Sequence, residues 1–284
     1  MLTNQLHLKR NFCIAVFLLT IHILYAQESV KLVVLHTNDT HSQVEPTSAA
    51  ARQPDMGGYA RRMGIIEQIR QEEDHVLLVD AGDYWQGTPY FNLYNGRVEI
   101  DAMNRMKYDA ATFGNHEFDN GIDSLAAVLL TAKFPIVNSN YDVSATPLSD
   151  IIKPYLVIER GGVKIGIFGL TVNIKGLAMA TNYRGAIYND PVEAAVRMSD
   201  FLKEKQKCDV VICLSHLGAN ENMNDVNDFD IARATKHIDV IIGGHTHLLI
   251  ENRTTPNAEG NPVIVAQMGK SGLYLGRIDL VLNK

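Results

Sequence analysis

The chain has 284 residues, 46% of them hydrophobic and 20% charged, and a formal net charge of −6 at pH 7. An acidic chain without a basic run lacks the electrostatic footprint for general nucleic-acid binding, so an anionic substrate would need bound cations to supply a local positive field. The length is ample for one large α/β domain with a single core.

The opening carries Lys9 and Arg10, an apolar stretch from Phe12 to Tyr25 interrupted by Thr20 and His22, and the small residue Ala26 ahead of Gln27-Glu28-Ser29. This is the layout of a secretory signal cleaved after Ala26. A membrane span needs about 18 clean apolar residues, which this stretch lacks. The expectation is a signal peptide over residues 1–26, a mature chain over 27–284, export to a periplasm or the extracellular space, and no stable membrane anchor. Loss of Lys9 and Arg10 takes the net charge from −6 to −8. Of the remaining cysteines, Cys208 and Cys213 have an odd spacing that, within one strand, points them to opposite faces, so no disulfide is expected between them.

Val30 to His36 is apolar and β-branched and ends in Thr37-Asn38-Asp39-Thr40-His41, which sets Asp39 and His41 two apart on one side of an extended loop. Residues 42–55 are rich in Ser, Ala and Pro and read as a surface loop. Tyr59, Ala60, Met63, Ile66 and Ile69 recur at helical spacing, and Val76 to Val79 is a second buried strand running into Asp80-Ala81-Gly82-Asp83. A helix is expected over Glu99 to Met106. The third strand, Tyr108 to Phe113, leads to Gly114-Asn115-His116-Glu117-Phe118-Asp119. Gly-Asn is also an ordinary turn dipeptide and His116 an ordinary loop histidine, so this turn alone reads equally well as a site or as a turn.

A helix over Leu125 to Ala132 and a short strand over Phe134 to Asn138 follow. A hairpin joins Tyr155–Glu159 to Val163–Leu170 through Arg160-Gly161-Gly162. Asp190, Pro191 and Glu193 form a helix start, and that helix should run to about Gln206. Asp209 to Leu214 is a strand ending at Ser215-His216, and a short helix covers Phe229 to Lys236. Ile238 to Ile242 ends in Gly243-Gly244-His245-Thr246-His247, and two strands, Pro262 to Gln267 and Tyr274 to Leu282, complete the chain. No repeat or linker marks a second domain. Asn38-Asp39-Thr40 and Asn252-Arg253-Thr254 match glycosylation acceptors and are read as coincidental.

Five apolar strands thus end in polar clusters, and in open α/β sheets such strand ends gather into one crevice. Of the eight histidines after residue 26, five lie in these clusters, whereas His36, His75 and His237 are expected to be packing or surface residues. A mixture of carboxylate, imidazole and amide suits Zn²⁺ or Mn²⁺. The strand ends carry Asp39 with His41, Asp83, Asn115 with His116, His216, and His245 with His247; seven ligands from such a set are too many for one tetrahedral ion and fit two ions sharing a carboxylate.

The ordered set DTH, GD, GNHE, SH and GGHTH resembles the calcineurin-like metallophosphoesterase superfamily. The longer strings LHTNDTH, LLVDAGDYWQGTP and FGNHEFDNG, with GGHTH, resemble the amino-terminal catalytic domain of the 5′-nucleotidase and UDP-sugar hydrolase family. The resemblance implies an α/β fold, a four-layer α/β/β/α sandwich with two mixed sheets flanked by helices. It assigns Asp39, His41, Asp83 and His247 to one metal, and Asp83, as the bridge, with Asn115, His216 and His245 to the other. His116 with Asp119 matches the family's catalytic pair; Asp80 has no ligand counterpart and Glu117 reads as structural.

The implied activity is that of an exported phosphohydrolase with two divalent ions, Zn or Mn, in which a metal-bridging hydroxide attacks phosphate esters of nucleotides. The alternatives are a phosphodiesterase or a cyclic-nucleotide or UDP-sugar hydrolase on the same site, and a non-catalytic binding subunit. Full-length family members continue into a carboxy-terminal substrate-binding domain. The sequence stops at Asn283-Lys284, so the expectation is that this domain is absent or supplied by a separate chain.

Overall fold

The computed structural model describes residues 29–222 and 225–283; the expected signal peptide lies outside the described residues. The strands in chain order are β1 (Ser29–Thr37), β2 (Val76–Asp80), β3 (Ala110–Ala111), β4 (Ile136–Val137), β5 (Tyr141–Asp142), β6 (Ile152–Lys153) and β7 (Tyr155–Arg160). They continue as β8 (Val163–Thr171), β9 (Ile187–Tyr188), β10 (Val210–His216), β11 (Val240–Ile242), β12 (Leu249–Pro256), β13 (Pro262–Met268) and β14 (Gly276–Asn283). Six-stranded sheets with the orders β14-β1-β2-β3-β4-β6 and β12-β13-β11-β10-β8-β7 carry the fold, and β5 pairs with β9. Both large sheets are mixed: their central strands are parallel, with antiparallel pairs at β14–β1, β12–β13 and β7–β8.

The continuous apolar runs follow from burial on both faces. Leu32 and Val34 of β1 meet Ile165, Ile212 and Val240 in the core between the sheets. Val33 and Leu35 point the other way, into a core shared with α1 (Tyr59–Glu72), α2 (Pro89–Tyr94), α3 (Arg97–Met106) and α4 (Ile122–Leu129) through Ile66, Phe91, Ile100 and Leu125. On the far face of the second sheet, Ala194 and Met198 of α5 (Pro191–Asp200) and Phe229 of α6 (Asp228–Ala234) cover Phe168, Val211 and Ile241. The layers are therefore helix, sheet, sheet, helix, as expected. Each fully buried aliphatic side chain contributes about 1.5–3 kcal/mol, so both faces of these strands are held apolar.

The Asp190 carboxylate accepts the N–H groups of Val192 and Glu193 at 2.8 and 3.0 Å, which starts α5 where the sequence places it. The helix then widens into a π-type turn over Phe201–Lys205. The hairpin between β7 and β8 forms, with Gly161 and Gly162 at φ 59° and 74°. Three expectations change. The third strand shrinks to Ala110–Ala111, because the chain turns toward the site at once. β12 has no counterpart in the sequence reading: it is an exposed edge strand, irregular between Ile250 and Arg253, and shows no apolar alternation. Cys208 precedes β10, so strand alternation does not reach it, and both cysteines pack in the same helix-side core. They are buried and unpaired. Among the described residues no helix is long and apolar enough to cross a membrane.

Candidate metal centre

The turns that follow β1, β2, β3, β10 and β11 converge. Five of the seven candidate ligands have left-handed backbones: Asp39 (φ 47°), His41 (45°), Asp83 (55°), His245 (72°) and His247 (55°). Such conformations are costly for non-glycine residues and persist only where surroundings over-determine them. Here each turn holds the next. Asp39 N–H donates to the Gly82 carbonyl at 2.9 Å, His41 N–H to the Asp83 carbonyl at 3.0 Å, and His245 N–H to the Asp39 carboxylate at 3.0 Å. Gly82 (φ 91°) sits where a Cβ would lie 2.6 Å from the Gly114 nitrogen and 2.9 Å from His216 Nδ1, so only glycine lets these turns close.

The ligand-capable atoms of Asp39, His41 and His247 lie within 4.8 Å of one another, as do those of Asp83, His216 and His245. The ligand-capable atoms of Asp83, His41 and His116 also lie within 4.8 Å of one another, so the Asp83 carboxylate stands between the two clusters. Asn115 Oδ1 is 3.0 Å from His245 Nδ1, which brings the seventh candidate to the second cluster. All seven candidate ligands are therefore together. His116 Nδ1 lies 2.8 Å from Asp119 Oδ2, and its backbone N–H donates to Asp83 Oδ1 at 2.9 Å.

The donor chemistry fits divalent cations. His216 Nδ1 contacts the Ala81 carbonyl at 2.7 Å, which makes it the protonated nitrogen and leaves the Nε2 lone pair facing Asp83 Oδ2 at 3.0 Å. That buried Nε2 has no hydrogen-bond partner. Two acceptors at this distance need a proton or a cation between them. Without a cation, burial pushes His216 down but the Asp83 carboxylate outweighs it and holds the imidazole at about 10. Burial, and then the His216 charge, depress His245 to about 4. For His116, burial acts downward and the Asp119 contact prevails, so its pKa is raised.

Carboxylates beside the cluster have other work. Glu117 is fully buried and accepts the backbone N–H groups of Asp83 at 3.0 Å, Trp85 at 3.1 Å and Gly114; burial, and then the Asp83 charge, push it up to about 8. Asp80 accepts from the Thr37 hydroxyl and the Gly82 N–H and stands outside the metal-capable groups. Among the described residues, His36 is buried without a hydrogen-bond partner, and His75 and His237 stand outside the metal-capable groups.

The sequence reading missed two amides. Asn38 donates to Asp39 Oδ2 at 2.6 Å and to the Gly269 carbonyl at 2.9 Å, and accepts the Met268 N–H at 2.8 Å. Only 1% exposed, it is no glycan acceptor in the folded chain. Gln267 accepts from the Thr246 hydroxyl and Leu248 N–H and donates to the Gly244 carbonyl, steadying the His245–His247 turn. The ties of Asn38 to Met268 and Gly269, and of Gln267 to the 244–248 turn, cross long stretches of chain and leave no local signal.

The calcineurin-like phosphoesterase family profile matches residues 32–249. The trifunctional nucleotide phosphoesterase protein YfkN of Bacillus subtilis is 34% identical across 89% of this chain and 18% of its own length. Snake venom 5′-nucleotidase of Crotalus adamanteus is 36% identical across 91% of this chain and 46% of its own. The solved 5′-nucleotidase precursor from Thermus thermophilus superposes with a TM-score of 0.78 at 31% identity, over 89% of this chain and 54% of that one. The chain thus spans about half, or less, of the length of these relatives. On the family profile, with the fold and the order of its strand-end turns in agreement, this chain belongs to the calcineurin-like phosphoesterase family.

Proposed function

We propose that the chain is a phosphohydrolase that uses two divalent ions, Zn²⁺ or Mn²⁺, to hydrolyse phosphate esters of nucleotides. Asp39, His41, Asp83 and His247 would hold one ion, and Asp83, Asn115, His216 and His245 the other. The observation that carries this reading is the position of Asp83 between the two clusters, facing the unpartnered His216 Nε2. The relatives named as nucleotide phosphoesterases and 5′-nucleotidases support the substrate class. Two such ions supply Lewis-acid stabilisation of phosphoryl charge and acidify a water.

The protein's own groups do the rest. Asp39 and Asp83 are buried and fix the cluster through the backbone contacts described above. Asp119 orients His116 through Nδ1, which leaves Nε2 as the nitrogen that donates to the leaving oxygen or to a phosphoryl oxygen. The rigid Asn115–Asp119 turn keeps that imidazole beside Asp83. In this proposal residues 1–26 direct export and residues 27–284 act as one catalytic domain.

The test uses protein from Gln27 onward, stripped of metal, reloaded with Zn²⁺ or Mn²⁺, and assayed for phosphate release from AMP and from simple mono- and diesters. Metal-dependent release from AMP supports the proposal. Two bound metals with no hydrolysis of any ester would overturn it and favour the binding-subunit alternative.

A further inference from the structure

The turn that carries His116 is anchored unevenly. In its first half Glu117 and Phe118 are fully buried, Glu117 on the backbone N–H groups of Asp83, Trp85 and Gly114, and Phe118 edge-on against Phe113 with ring centroids 5.4 Å apart. The second half has no such seat. The Asp119 side chain is 26% exposed, and among the described residues its carboxylate has only the His116 ring as a hydrogen-bond partner. Gly121 follows at φ 83°, where a Cβ would meet nothing within 4 Å. Yet this loosely seated half carries the carboxylate that sets which nitrogen of His116 bears the proton.

Asp119 is held from outside its own turn by the segment that follows β8. Asn182 Nδ2 donates to the Asp119 carbonyl at 2.8 Å, and two residues on, Arg184 pairs with Asp123 at 2.5 Å. The neighbouring contact of Asn120 with Asn95, at 3.0 Å, joins exposed side chains, where water competes. Asn182 is itself placed from beneath. Ile174 is buried in the core that β1 shares with α1, and Ala178 and Tyr183 pack against that core. Asn182 N–H donates to the Met179 carbonyl at 2.8 Å within a short 3-10 turn, Ala180–Tyr183. The same segment leaves β8 on a hydrogen bond from Val172 N–H to the His216 carbonyl at 3.1 Å. The Tyr141 hydroxyl then donates to the Val172 carbonyl at 2.8 Å and accepts the Ile174 N–H at 3.0 Å. One run of chain thus connects a candidate ligand on the second sheet to the carboxylate that orients His116 beside the first.

We propose that Asn182 is a positioning residue for catalysis: by holding the Asp119 carbonyl it keeps the Asp119 carboxylate on His116 Nδ1, and so keeps Nε2 as the nitrogen that serves the substrate. The assignment rests on the phosphohydrolase reading above. Asn182 acts on the ring through the Asp119 backbone, so its effect exists only while the imidazole is present.

The experiment is a double-mutant cycle in Zn²⁺-loaded protein, with kcat and KM for AMP measured in wild type, Asn182→Ala, His116→Ala and the double variant. Asn182→Ala should lower kcat about three- to tenfold, the range that one hydrogen bond supplies, with KM and metal content unchanged. In the His116→Ala background the same substitution should lower kcat no further. An unchanged kcat, or a loss of equal size in both backgrounds, overturns the assignment. NMR of the imidazole nitrogens at alkaline pH reads the His116 tautomer without turnover. Wild type should hold the Nδ1–H form and Asn182→Ala a mixture of the two forms; a tautomer that the variant leaves unchanged overturns the assignment. If wild type hydrolyses no ester, the phosphohydrolase reading fails separately, and the tautomer alone decides whether Asn182 positions the ring.

Discussion

Nε2 of His41 and Nε2 of His247 lie 2.9 Å apart although 206 positions separate the two residues in the chain. Asp39 Oδ1 is 3.4 Å from the second nitrogen and 3.9 Å from the first. Three donors aimed at one point predict a cation there. Elemental analysis of metal-loaded protein should find about two divalent ions per chain. His247→Ala should reduce that number toward one, and an undiminished count would remove His247 from the ligand set. Chelation should lower the melting temperature, since an ion held at a hundredfold excess over its Kd stabilises the fold by about 2.7 kcal/mol.

His116→Ala tests the imidazole without touching the seven candidate ligands. A positioned general acid contributes about 10²–10⁴ in rate, so kcat for AMP should fall in that range with metal content unchanged. Asp119→Asn should fall less, because the amide still orients the ring. A variant that loses metal in proportion to activity would instead make His116 a ligand, consistent with its closeness to His41 and Asp83.

Glu117→Ala strands three backbone N–H groups, those of Asp83, Trp85 and Gly114. Each buried, unsatisfied donor costs about 1–3 kcal/mol, so unfolding free energy should fall by roughly 3 kcal/mol or more in denaturant titrations. A loss under about 1 kcal/mol would mean that the three turns are held by other contacts.

His36 gives a pH dependence. Burial alone pushes its pKa from 6.5 to about 3, so the unfolded chain takes up a proton that the fold refuses. Stability from this residue is complete above the unfolded value of 6.5 and falls as pH drops toward about 3. The slope approaches about 1.4 kcal/mol per pH unit in that window. His36→Leu should remove this component, so the stability difference between wild type and variant should change between pH 7 and 4.5. Parallel pH profiles would show that His36 does not couple folding to protonation.

Much of the site was legible because it obeys local rules. An apolar run buried on both faces marks a strand, and the polar residues that follow mark its end, so Asp39, His41, Asp83, His216, His245 and His247 could each be placed beside a strand end from their own surroundings. The Asn115–Asp119 turn was ambiguous alone and became a candidate through the company of the others. β12 stayed hidden, since its exposed, irregular residues carry no apolar period, and Cys208 was misjudged because alternation was extended past the end of a strand.

The sequence by itself determined the residue types, the strand ends they occupy and the family they resemble, because those signals lie within a few residues of each other. Tertiary structure alone decided that Asp83 stands between the two clusters, that His41 faces His247 and that Asn38 ties Asp39 to Gly269. These relations depend on sheet order and register. Pairing of β1 with β2, and of β10 with β11, aligns distant turns to within a hydrogen bond, and no stretch of neighbouring residues encodes that distance.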